Sequence, residues 1–234
     1  MCKAFSCLLT KSGKVYWKVG VDGHTNIQHL FVEQDVELVD DKMPPKNTFA
    51  RVEITPPEGD YLNTEFDKWV YQIDEEVKPS FLKPKHEKLC REAHKEWAKE
   101  IYSKINVEEA RNPINPFKIT PPKITQEHIA LLKKWDSVRA SVGDSVRDSV
   151  RDSVWDSVRD SVWASVWGSV WASVWGSVWG YYGSLFSIDK WENAYPYQSA
   201  VALWKQGLVP SYDGKTWRLH GGTDARILYE HKGM

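Results

Sequence analysis

From Asp136 to Trp179 the chain repeats one four-residue unit, x-Ser-Val-x, eleven times without a break. Ser and Val never vary. The first place is always Asp, Ala or Gly, and the last is Arg, Trp or Gly. A period this short limits the folds available, because every side chain recurs at one geometric interval. In an α-helix four residues overshoot a turn by about 40°, so the valine stripe circles the axis and no flat core covers it. Ser, Val, Trp and Asp are also each about 0.5–0.7 kcal/mol poorer than Ala in a helix. Val and Trp favour strands, whereas Asp, Gly and Ser tolerate corners. Identical quartets stacked in successive coils would bury what a lone quartet cannot. The repeat therefore predicts a β-solenoid, with one long α-helix as the competing fold. The residue choices at the two variable places differ by single bases in the genetic code, so a tolerated expansion at the DNA level is a further reading.

The flanks read as ordinary folded modules. Residues 1–104 have the pattern of an α+β module. AFSCLLT and KVYWKVGV meet across a Ser-Gly turn as a hairpin, and FARVEIT and KWVYQID read as further strands. In KHEKLCREAHKEWAKEIYSKI the apolar Leu89, Ala93, Trp97 and Ile101 recur at spacing four, which marks a helix. Residues 105–124 carry Pro113, Pro116, Pro121 and Pro122 and read as a stiff linker. A helix over 125–135 leads into the repeat segment, 136–187. A small α+β cap over 188–234 follows, with a helix ended by Gly207 and a hairpin turn at Asp213-Gly214.

Charge and cysteine content exclude some classes of partner and compartment. The net charge of -1 supplies no basic field for nucleic acid or an anionic membrane. Ser161 to Ile188 runs 28 residues without a charge, but every fourth residue of its repeat portion is Ser, which argues against a membrane span. Three scattered cysteines form no disulfide framework, and MCKAFSCLLTKSGK lacks the apolar run of a signal peptide. The host cytoplasm is the expected compartment.

MCKAFSC near the start, FARVEITPPEGDY followed by WVYQIDEEVKPSF, the SV quartets, and YPYQSAVALWKQGLVPSYDGKTWRLHGG carry a resemblance. Together they resemble uncharacterised repeat proteins of phage and environmental sequences, over most of the chain. The resemblance implies a viral or mobile-element origin and no particular chemistry.

Three constellations are candidates for function. The tryptophans Trp155, Trp163, Trp167, Trp171, Trp175 and Trp179 would line one surface of the repeat as a binding face. Cys2 follows the initiator Met, whose removal its small side chain permits, and the amine and thiol thus freed on one residue would suit an N-terminal nucleophile. His24, Arg51 and Glu53, with Asp22, lie in or beside neighbouring strands as supporting groups. His86, Cys90 and His94 recur at i, i+4, i+8 on the clear helix and use zinc-ligand residue types, although ordinary helix surface is the plainer reading. No Walker, Rossmann or nucleophile-elbow pattern occurs.

The leading expectation is a non-enzymatic structural or binding protein. It would present a rigid Trp-rich repeat to a protein partner or to itself, with no cofactor. The alternative is an N-terminal-Cys or metal-dependent enzyme, zinc being the candidate ion, in which the repeat is a spacer.

Overall fold

The computed structural model describes residues 5–39, 48–138, 159–162, 175–187 and 195–232. The chain divides into two compact units, one ending at Ser103 and the other beginning at Lys104.

The first unit is built on an antiparallel sheet of order β2-β1-β3-β4. Its strands are β1 (Phe5–Thr10), β2 (Val15–Tyr16), β3 (Phe49–Thr55) and β4 (Val70–Ile73). Gly13 makes the β1–β2 turn with φ +98, a conformation that a side chain resists. All six residues of β1 are buried, so both faces of the central strand are covered. On one face Leu8 and Phe49 cluster with Ile27 of α1 (His24–Phe31) and with Leu38. On the other, Phe5 meets His94 and Trp97 of α2 (Pro84–Tyr102). The spacing-four pattern did mark this helix, and its buried stripe is Cys90, Ala93, His94, Trp97, Ala98 and Ile101. Pro84 stands in its first turn, where the missing N–H removes no intrahelical bond.

The second unit carries α3 (Val107–Arg111), α4 (Gln126–Val138), α5 (Trp175–Gly183), α6 (Gln198–Lys205) and a β5-β6-β7 meander. Those strands span Val209–Tyr212, Thr216–Gly221 and Arg226–Lys232. Residues 105–124, expected to be an extended linker, are folded into this unit. Ala110 and Phe117 are buried, and the Ile114 carbonyl accepts from Trp204 Nε1 at 2.8 Å. Tyr181 of α5 stacks on Trp204, centroids 5.1 Å apart, and its hydroxyl donates to Glu109 at 3.0 Å.

The repeat is not a β-solenoid where the structure describes it. Asp136–Val138 end α4, residues 159–162 are helical, and the last quartet, with Trp175 before it, lies in α5. Nor is it one long helix, since α4 and α5, at the two ends of the repeat, both pack against α6. Burial overrides the propensities that favoured strands. Val162 and Val178 are 0% and 1% exposed, and burying a valine contributes about 1.5–3 kcal/mol, more than the residue's helix penalty. The serines are not corners either. Ser161 Oγ donates to the Ala110 carbonyl at 2.7 Å, and Ser177 Oγ to the Pro210 carbonyl at 2.9 Å. In these two quartets the invariant pair points inward as packing plus hydrogen bond, whereas in the first Ser137 is exposed and donates to the Lys134 carbonyl of its own helix at 2.8 Å. At Gly180 α5 packs on α6, where a Cβ would sit in ordinary van der Waals contact with Ala200 Cβ at 3.4 Å. Among the described residues no helix is long and apolar enough to cross a membrane.

Candidate metal centre

The α1-side face of the N-terminal sheet changes character partway across. Directly opposed residues of an antiparallel pair share a face. Register sets Leu8 against Arg51 and Ser6 against Glu53 on β1–β3, and Glu53 against Gln72 on β3–β4. Asp74 follows Ile73 at the end of β4, and its N–H donates to the Arg51 carbonyl at 2.9 Å. One half of the face is therefore apolar, around Leu8 and Phe49. The other half gathers Ser6, Glu53, Gln72 and Asp74, and α1 brings His24 onto it.

There one atom each from His24, Glu53 and Asp74 lie within 4.8 Å of one another. His24 is 5% exposed. Its Nε2 stands 3.1 Å from the Val52 carbonyl and its Nδ1 3.2 Å from Asp74 Oδ2. A carbonyl only accepts, so the ring proton belongs on Nε2 and the Nδ1 lone pair faces a carboxylate. Nδ1 and Asp74 Oδ2 are thus spaced so that a proton or a metal ion can lie between them. A ligating histidine ordinarily donates its other N–H to a carbonyl or carboxylate, as His24 does. Gln72 Nε2 donates to Glu53 Oε2 at 3.1 Å and fixes that carboxylate in turn. Ser6, opposite Glu53 and 3% exposed, has a buried hydroxyl without a hydrogen-bond partner among the described residues.

Two of the residues singled out in the sequence, His24 and Glu53, are thus brought together. Arg51 shares their face, but its guanidinium pairs with Glu75 Oε2 at 3.1 Å. Cys2 lies outside the described residues. Asp74 was missed, being read as the polar end of a strand. The alternation of polar residues in RVEI and YQID would have set it on the Glu53 face, once the pairing of the two strands was known.

The helical His86, Cys90 and His94 do not form a centre. Among the described residues the only His, Cys, Asp or Glu group with converging ligand atoms is that of His24, Glu53 and Asp74. Nor are the three helix surface, since all are buried. His86 Nδ1 accepts from the Lys83 N–H at 3.1 Å, closing the first turn of α2. His94 lies among Phe5, Phe66, Trp69 and Trp97. Cys90 meets Cys7, whose thiol is pushed up by burial first and then by that contact.

Of the proposed tryptophan surface, Trp155, Trp163, Trp167 and Trp171 lie outside the described residues. Trp175 is 51% exposed. Trp179 is half-buried, edge-on to Tyr182 with centroids 5.4 Å apart.

Comparison with protein-family models, with curated proteins and with solved structures finds no match for this chain.

Proposed function

We propose that the N-terminal unit binds one divalent metal ion between His24 Nδ1, Glu53 and Asp74, and that the metal serves hydrolytic chemistry. The observation that carries this reading is the His24 ring, whose Nε2 faces a carbonyl while its Nδ1 faces a carboxylate. Ligand atoms about 2.1 Å from a shared ion lie roughly 3–3.5 Å apart, so the His24–Asp74 pair already has a suitable spacing. One imidazole and two carboxylates suit zinc or manganese better than a soft ion. Three protein ligands leave a position for water, as in catalytic rather than structural sites. A water bound there would lose its proton near neutral pH and attack a carbonyl or phosphoryl centre.

Metal analysis and calorimetric titration of the full chain with Zn²⁺ and Mn²⁺ test the reading. One ion per chain is expected, with binding lost in His24→Ala and weakened at least tenfold in Asp74→Asn. Uptake of neither ion overturns the proposal.

A second reading draws on Trp175, exposed at the described end of the tryptophan run. In it the repeat presents aromatic side chains to a protein partner or to another copy. Light scattering of the full chain and of Trp175→Ser tests self-association, which the substitution should weaken. A monomer at all concentrations removes the self-association arm.

A further inference from the structure

A different side-chain pair, in the second unit, has the arrangement of an activated nucleophile. Ser211 of β5 and His220 of β6 are diagonal neighbours on one face, since register pairs Ser211 with Arg218 and Val209 with His220. Ser211 Oγ lies 2.8 Å from His220 Nε2, and His220 Nδ1 lies 3.0 Å from the Ala225 carbonyl. The carbonyl can only accept, so the neutral ring carries its proton on Nδ1. Nε2 is then the acceptor, and the serine hydroxyl must be the donor. A nucleophile bonded to a base that a third group orients is the diagnostic geometry of nucleophilic catalysis.

The backbone around the pair is irregular where it sets the ring. The β6–β7 register shifts between Leu219 and His220, and such a bulge re-aims a side chain. Ala225, whose carbonyl holds Nδ1, has φ 50, a left-handed conformation that a non-glycine residue adopts at a cost. On the other side, the repeat's Ser177 hydroxyl bonds the carbonyl of Pro210, the residue before Ser211. Burial pushes the His220 pKa down, which keeps the ring a base at neutral pH. Arg218, opposite Ser211, is already engaged by Asp213 at 2.6 Å and Glu230 at 3.2 Å, so its charge is not free for an anionic substrate.

We propose that Ser211 and His220 form a nucleophile–base pair that hydrolyses uncharged, slender acyl esters. Ser211 is 3% exposed whereas His220 is only half-buried, so the acyl group reaches Oγ past the imidazole edge. Oγ bonds to the ester carbonyl carbon as its proton passes to Nε2. The carbon–oxygen bond to the alcohol then breaks, and the departing oxygen takes that proton. Water repeats the sequence on the acyl-serine, releasing the acid and restoring the hydroxyl.

The test uses the full chain with a small fluorophosphonate, followed by intact mass and peptide mapping, and with p-nitrophenyl acetate. One phosphonyl adduct on Ser211 is expected, formed with loss of fluoride. His220→Gln, which keeps the ring's approximate volume, should slow labelling by about 100-fold, the range of general-base assistance. Ester hydrolysis above the buffer rate should vanish in Ser211→Ala. No adduct, an adduct mapped to another residue, or wild-type labelling in folded His220→Gln overturns the proposal. The adduct position in the wild type decides the matter even if Ser211→Ala does not fold.

Discussion

The two faces of the N-terminal sheet each bury a histidine and treat it in opposite ways. On the α2 face His94 is 1% exposed, packed among rings, and its Nε2 has no hydrogen-bond partner. Desolvation, followed by repulsion from Arg91 and Lys95, pushes its pKa down to about 4. On the α1 face His24 is equally buried, yet its two nitrogens meet a carbonyl and a carboxylate. Comparable burial therefore yields a ring that must stay neutral and a ring set to share a cation. The strand register makes the difference, because it places Phe5 on one side and Glu53 and Asp74 on the other.

The largest effect is expected where the α2 face is most apolar. Trp97 is 3% exposed and stacks on His94 at 5.7 Å. Trp97→Ala should destabilise by about 3–5 kcal/mol through transfer loss and the cavity left behind. A loss under about 1 kcal/mol in denaturant unfolding would show that the rings do not anchor this unit.

Acid should then weaken the α2 face through His94. The unfolded chain binds a proton at His94 near its ordinary value of 6.5, whereas the folded chain resists it down to about 4. The stabilisation is therefore fully present above pH 6.5 and is lost as pH falls towards 4. It amounts to on the order of 3 kcal/mol. His94→Phe should flatten the stability–pH curve between pH 6.5 and 4. An unchanged slope there would mean that other groups carry the acid sensitivity.

On the α1 face, Gln72→Ala removes the donor that holds Glu53 without touching a ligand. Metal affinity should fall about 10- to 100-fold, the usual effect of losing an orienting partner. Wild-type affinity in this variant would mean that Glu53 is not held through Gln72, or is not a ligand.

The smallest effect belongs to Ser6. A buried hydroxyl without a partner contributes no hydrogen bond, so Ser6→Ala should change metal-free stability by less than about 1 kcal/mol, or raise it. Destabilisation beyond about 2 kcal/mol would reveal a partner and weaken the contrast with the bonded serines of the repeat.

Local signals in the sequence reached some of this. The hairpin of β1 and β2, the α2 stripe and the Asp213-Gly214 turn depend on neighbours in the chain, and all are found. His24 and Glu53 were recognisable as chemistry-bearing residues beside strands. Their meeting with Asp74 was not, because it depends on which strands pair and in what register. The zinc reading of His86, Cys90 and His94 failed for a related reason. Spacing along a helix places side chains on a stripe, but eight residues also separate the ends by about 12 Å of rise.

The repeat shows the same division most clearly. The sequence by itself determined its period, its invariant Ser-Val pair and the two places free to vary. Its conformation was decided by tertiary structure. Val and Trp prefer strands by amounts well under 1 kcal/mol, and such preferences yield to burial. In two of the described quartets Val162 and Val178 are packed inside, and Ser161 and Ser177 find acceptors on distant carbonyls. Those acceptors lie 51 and 33 residues away along the chain, beyond the reach of any local pattern. In those two quartets the helix satisfies its own backbone hydrogen bonds while turning both invariant side chains inward, whereas Ser137 of the first quartet stays exposed.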